Sequence, residues 1–232
     1  MRSVVRSISG ISGETAFALG KDTRLNYPLE SPEGLESIPG LFAYPVKNIG
    51  RFPGHVKSAC GACALALKAA GMEYKKNETQ KTAVLTAGYD PTLHINGTFF
   101  KDYLDAGRTM GRGNLFIYSL PTGAIAEVSI HFGFSGPALF VESPQAPLKG
   151  LLVSADEIMS GKDADSAVLF WQDDRYTICV IADGESPAYP FLTEVEELQR
   201  LSADWCRPEE AVRHCYAGVG KTEGNPISYI KR

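Results

Sequence analysis

Apolar side chains recur at helical spacing over residues 52–71, where Val56, Ala59, Cys60, Cys63, Ala64, Leu67 and Ala70 share one side of a 3.6-residue period. The spacing predicts a helix there, and Gly71 can close it in a left-handed turn. The run TAVLTAG over 82–88 is short, continuous and bounded by Lys81 and Gly88. A strand buried on both faces has this appearance. A second helix is predicted over 91–106. A third starts at Pro121, in the first turn where proline is tolerated, and runs through Ile125, Val128 and Phe132 to a stop at Gly133. After Gly136 and Pro137 the pattern switches to a strand, ALFVE (138–142), then SPQAP, then a helix with Leu148, Leu151, Leu152, Ala155 and Ile158 on one side. SAVLFWQ (166–172) and RYTICVIA (175–182) read as two strands of a hairpin turning at Asp173 and Asp174.

The ends of the chain are patterned less clearly. Apart from a short strand candidate at 3–8, the first fifty residues are poorly periodic and rich in Gly, Pro and Ser, so irregular structure is expected over 1–50. Thr193 and Glu196 form a capping box ahead of Val195, Leu198 and Leu201, and Pro208 can open a last helix, which predicts a helical extension over 190–232. The elements add up to an α/β domain with a core over about 51–183, built on a mixed five-stranded sheet flanked by helices.

Composition narrows the function classes. A chain of 232 residues with 44% hydrophobic content can bury a substantial core in one domain. It has no apolar run of transmembrane length and no secretion signal in MRSVVRSISGISGETAF, so a cytoplasmic location is expected. The net charge of −4 is spread without long blocks of one sign, which argues against a dedicated nucleic-acid or anionic-membrane surface and favours small-molecule or protein partners. Five cysteines fit reduced thiols better than a disulfide framework.

Several motifs suggest chemistry and are better explained by structure. CGAC at 60–63, with His55 ahead of it, would supply three metal ligands, but both cysteines fall in the apolar stripe of their helix, where cysteine packs as a small hydrophobe. GVGKT at 218–222 lacks the leading glycine of a phosphate loop, whose place Cys215 takes, so it reads as a turn. His55, His94, His131 and His214 sit on separate elements without a carboxylate relay, and each reads as structural or solvated. No metal or cofactor is implied.

One resemblance absorbs much of the chain. SLPTGAIAEVSIHFGFSGPALFVES has a proline-led helix, an aromatic-Gly-x-x-Gly-Pro turn and a strand leading out of it. LKGLLVSADEIMSGKDADSAVLF adds a following helix, a turn ending in Ala164 and Asp165, and a strand. SACGACALALKAAGM and AVLTAGYD match more loosely upstream. Over about 51–173 the chain resembles the N-terminal half of a β-ketoacyl synthase, a thiolase-fold condensing enzyme. The resemblance places a nucleophilic cysteine eight residues after the Gly-Pro proline, at a helix N-terminus that favours thiolate and oxyanion. Here that position is Gln145, whose carboxamide has nothing to ionise and cannot carry an acyl thioester. Ser143, the nearest hydroxyl, lacks the flanking glycines of a nucleophile elbow. In the family two catalytic histidines come from a second thiolase-like half, whereas the residues after Val180 hold one histidine, His214, in no family motif.

The resemblance therefore implies a lone N-terminal-type half without its own chemistry, similar to the chain-length-factor subunits in which glutamine can replace the cysteine. Its expected partner is an active ketosynthase or a second copy, without a cofactor. Residues 116–125 and 138–142 would face that partner. Phe116, Tyr118, Ile125, Phe140 and Gln145 would lie at the acyl pocket or interface, with ordinary core packing as the competing explanation. Lys101, Arg108 and Arg112 would touch an acidic acyl carrier protein, or would simply form a solvated helix face. Two other readings stay open. One is a decarboxylase of malonyl thioesters, with His94 or His131 standing in for the missing histidines; the other is an acyl-binding or scaffolding module acting alone.

Overall fold

The structure is a computed structural model that describes residues 4–184 apart from 13–14, 21–22, 30–33, 36–37, 89–91, 145–146 and 174. The helices expected near Thr193 and Pro208, the turn at 218–222, His214 and Gln145 lie outside the described residues. Seven strands form one mixed sheet: β1 (Val4–Ile11), β2 (Thr15–Gly20), β3 (Arg24–Pro28), β4 (Thr82–Gly88), β5 (Ala138–Phe140), β6 (Ser166–Gln172) and β7 (Thr177–Asp183). Their spatial order is β3-β2-β1-β7-β6-β4-β5. β4 runs parallel to both β5 and β6, and every other neighbouring pair is antiparallel. Parallel neighbours need crossovers. The crossover from β4 to β5 carries α2 (Leu93–Asp105), α3 (Gly113–Tyr118) and α4 (Gly123–Phe132), and α5 (Pro147–Ser160) links β5 to β6. The β6–β7 hairpin turns as expected, with Asp173 Oδ1 accepting from the backbone N–H groups of Arg175 and Tyr176 at 2.8 and 2.7 Å.

The remaining helix, α1 (Gly54–Ala70), sets the spacing of the layers. It is made mostly of Ala, Gly, Cys and Ser, so its backbone can lie close to the sheet, and its buried side chains include Val56, Cys60, Cys63, Leu65 and Leu67. Ser7 Oγ donates to the carbonyl of Ala66 at 2.8 Å and Ser9 Oγ to that of Ala62 at 2.6 Å. The main chains come so near that a Cβ built on Gly20 would stand 1.8 Å from the carbonyl oxygen of Ala69. Gly71 closes the helix at φ 66°, as the sequence predicts. α4 packs beside α1 on the same face, and α5 covers β4 and β6 on the other.

A largely irregular strap over 38–53 covers α1, with Ile38, Leu41, Val46 and Phe52 buried beneath it. It is fastened by Tyr74, whose hydroxyl accepts from the N–H of Ala43 at 2.9 Å, and by Tyr44, whose hydroxyl donates to the carbonyl of His131.

The expected irregular segment at 1–50 and the count of five strands are both corrected. β1 extends to Ile11, β2 and β3 follow it, and the sheet has seven strands. The reason is visible in β1: its positions facing α1 include Ser7 and Ser9, whose polarity hides the alternation of a half-buried strand. β5 is three residues long where five were expected, and α3 was not anticipated.

Gly20→Ala should force the new methyl into a helix carbonyl and cost about 1–3 kcal/mol, lowering the urea midpoint. Gly54→Ala, with nothing within 4 Å of its Cβ position, should leave the midpoint unchanged or raised.

Candidate functional site

The segment between α4 and α5 is held by main-chain contacts along β4. Gly133, at φ 72°, ends α4 where a Cβ would stand 2.1 Å from the carbonyl oxygen of Glu78. The N–H of Ser135 donates to Gln80 at 2.9 Å, that of Gly136 to Thr82 at 3.0 Å and that of Val141 to Thr86 at 2.8 Å, so the chain climbs β4 step by step. Gly136 and Pro137 thus lead into β5 near the N-terminal end of β4. The strand then leaves the sheet at the C-terminal end of β4, where crevices of open α/β sheets form.

Ser143 packs against α5, its Oγ 2.9 Å from where a Cβ on Gly150 would lie, so the absence of that Cβ is what lets the two approach. In sequence, position 145 falls between β5 and α5, two residues ahead of Pro147. α5 is then anchored by Leu148, Leu151 and Leu152 beneath the sheet.

The residues expected at a pocket or interface divide into two groups. Ile125 is fully buried in the α1–α4 core. Tyr118 is buried too, its hydroxyl donating to Glu127 Oε1 at 3.0 Å and its ring set edge-on to Phe52. Burial, together with the Glu127 carboxylate, pushes the Tyr118 phenol up to about 12. Both side chains serve the packing of this chain. Phe116 is 51% exposed, touches Phe99, and is joined by exposed Ile117 and Leu120. Phe140 is half-buried on β5, next to exposed Leu139.

Sequence reading passed over Ile130, which is 77% exposed on α4, and the apolar residues Leu93 and Phe100 on α2. Their signal was apolar residues on the polar side of an amphipathic helix. Exposed apolar side chains thus collect on α2, α3, α4 and the edge strand β5, which are neighbours in space.

Two of the three cations expected to meet a carrier protein are neutralised within the chain. Lys101 Nζ pairs with Asp105 at 2.6 Å and Arg112 Nε with Asp102 at 2.8 Å. Arg108 is exposed in a left-handed turn at φ 62°.

Cys60 and Cys63 are both buried in the core, as their place in the apolar stripe predicts, and burial pushes the Cys60 thiol up to about 12. No group of three His, Cys, Asp or Glu among the described residues could hold a metal ion, and no described helix is long and apolar enough to cross a membrane.

His94 is exposed on α2. His131 is buried in a box made by Phe42, Tyr44, Tyr74 and Phe132, with ring centroids 4.6 to 5.8 Å away, and its Nε2 has no partner among the described residues. It sits in the last turn of α4, at the N-terminal end of β4 and away from the β5–α5 junction. His55 lies in the first turn of α1 with its Nε2 buried, while its carbonyl accepts from Gln172 Nε2 at 3.0 Å.

No protein-family model matches the sequence, and no curated protein matches it. Solved structures do. The ishigamide ketosynthase/chain length factor matches with a TM-score of 0.55 and 12% identity, over 82% of this chain and 64% of that one. A type II polyketide synthase acyl-carrier protein in complex with its ketosynthase bound to the hexaketide matches with a TM-score of 0.56 and 11% identity, over 87% and 65%. A β-ketoacyl synthase from Burkholderia phymatum STM815 matches with a TM-score of 0.53 and 14% identity, over 79% and 59%. The chain thus spans somewhat under two thirds of the length of these neighbours. They establish its class: an α/β protein with the thiolase-like fold of the ketosynthases.

Burial pushes both His131 and His55 down to about 4 from an ordinary value near 6.5. The unfolded chain therefore binds more protons than the folded one between these values, so stability is full above about pH 6.5 and falls as pH drops toward 4. Urea midpoints measured from about pH 7 to 5, above the main carboxylate range, should decrease, and His131→Phe should flatten part of that slope. A flat wild-type profile would show that neither ring has to be neutral in the fold.

Proposed function

We propose that this protein is a catalytically silent ketosynthase-like subunit of the chain-length-factor type, which pairs with an active ketosynthase in polyketide or fatty-acid assembly. The observation that carries this reading is the residue at position 145. In a ketosynthase-type fold, between a Gly-Pro-led edge strand and the helix that follows it, the chain has Gln145 where the resembled enzymes carry their nucleophile. A carboxamide offers no ionisable group to form an acyl-enzyme.

The exposed apolar side chains support a partner at the β5 edge of the sheet. Among the described residues β5 is one edge of the sheet, and Leu139 on the α5 face, with Phe116, Ile117 and Ile130 on helices of the other face, leaves apolar side chains exposed on both sides of that edge, as suits another chain. Phe116 is then the candidate wall residue of a shared acyl tunnel, and Tyr118 and Ile125 brace it from within. Two of the named neighbours are ketosynthase assemblies, one with a chain length factor and one with an acyl-carrier protein, which makes a ketosynthase the partner class to test first.

The decarboxylase reading gains nothing from the placement of His94 and His131, since one is exposed on α2 and the other is packed at the opposite end of β4 from the junction.

Co-expression with a ketosynthase from the same gene neighbourhood should give a complex that co-elutes on size exclusion. Phe116→Asp combined with Leu139→Lys should weaken it at least about tenfold while leaving the circular dichroism unchanged, since both side chains are exposed. If no neighbouring ketosynthase co-elutes, the partner assignment is wrong. Incubating the purified chain with malonyl and longer acyl carrier-protein thioesters should leave its intact mass unaltered. An acyl adduct on the wild-type chain would disprove the silent reading.

A further inference from the structure

Folding gathers cations that the sequence keeps apart. Between residues 38 and 81 the chain has seven Lys and Arg, two Glu and no Asp, although its net charge is −4. The strap over 38–53 runs antiparallel to α1: Lys68 Nζ, near the end of the helix, donates to the carbonyl of Gly40, and Phe52 leads into the start of the helix.

Lys47, Arg51 and Lys57 are thereby placed toward the beginning of α1, and Lys68, Lys75 and Lys76 at its end and in the loop beyond. Lys57 and Lys68 are eleven residues apart and so lie on the same side of α1, three turns or about 16 Å from each other. Among the described residues Lys47, Arg51, Lys57, Lys68 and Lys76 have no carboxylate partner, and Lys75 has only Glu78 at 3.7 Å.

Stability accounts for only part of this arrangement: Lys68 lies in the last turn of α1, where the helix dipole favours a cation. Lys57 stands in the first turn of α1, where the helix dipole disfavours a cation, and no acidic residue offsets it there. Lys101 and Arg112, on the other side of α4, show how the same chain neutralises a charge when nothing else calls for it.

We infer that the strap-and-α1 surface docks an acidic protein segment bearing two groups of carboxylates about 16 Å apart, the rise along α1 from Lys57 to Lys68. An acidic helix three or more turns long meets that requirement. Nucleic acid fits less well. Five of the six cations are lysines, which lack the planar fork that matches phosphate, and the strap's rings Phe42 and Tyr44 are turned against His131, where no base could stack on them. The surface uses none of the residues assigned to the ketosynthase interface, so the two proposals succeed or fail separately.

The probe is a labelled alanine-based helical peptide with two glutamate triplets three turns apart, followed by fluorescence anisotropy at low salt and at about 0.15 M. Binding should weaken with salt and fall at least about tenfold in Lys47→Glu/Arg51→Glu and, separately, in Lys75→Glu/Lys76→Glu, as expected when each cluster holds one triplet. Lys101→Glu/Arg112→Glu should change it less than about twofold. All substituted residues are exposed, and circular dichroism confirms folding. The inference is overturned if the peptide does not bind at low salt, if the Lys101/Arg112 variant loses as much affinity as the others, or if a single-stranded oligonucleotide of equal charge binds the patch more tightly than the peptide.

Discussion

The contact between α1 and the sheet governs the rest of this molecule. Two residues along a strand advance about 6.6 Å and four along a helix about 6 Å. Ser7 and Ser9 can therefore reach the carbonyls of Ala66 and Ala62 at the same time. Either hydroxyl, left without its acceptor in this buried place, would cost about 1–3 kcal/mol. A slide of α1 by one residue would break both bonds and drive the backbone at Ala69 against Gly20. Small side chains make the close approach feasible, and the paired hydroxyls give it a single register.

With α1 fixed, its outer surface becomes the floor for α4 and the strap. Tyr44 and Tyr74 tie strap, loop and helix together around His131, whose ring is enclosed by theirs. α4 in turn ends at Gly133 against the loop that enters β4, which sets the height at which β5 begins. The geometry of the β5–α5 junction is therefore inherited from a helix on the opposite face to α5, through a chain of backbone contacts with little side-chain freedom in it.

What the sequence made legible follows from the same contacts. Helices α1, α2, α4 and α5 and strands β4, β6 and β7 declare themselves because their burial is apolar and periodic. β1 shows only as the strand candidate at 3–8 and β2 and β3 do not show, because part of the inward face of β1 and β2 is hydroxyl and glycine, set against a helix that no local pattern reveals. At the site, the Gly-Pro turn ahead of β5 could be read directly, since it is local, whereas Gln145 lies outside the described residues. The split between Phe116, which faces out, and Tyr118 and Ile125, which face in, depended on where Glu127 and Phe52 lie in space. The pairing of Lys101 and Arg112 with aspartates, against the lone cations along α1, was likewise a tertiary fact.

The fold of this chain is held by burial more than by residue identity. Identities of 11 to 14% with ketosynthase structures, over most of its length, mean that the shared layers are maintained by the pattern of burial and not by particular side chains. Under so loose a constraint the layers can be kept while other residues change, because the core beneath α5 is built by Leu148, Leu151 and Leu152. The surfaces answer to a different pressure. An open sheet edge flanked by Phe116, Ile117 and Ile130 is a liability in a chain that works alone, and an unpaired lysine in the first turn of α1 is a mild one. Both features mark surface that the fold's own packing leaves uncovered among the described residues.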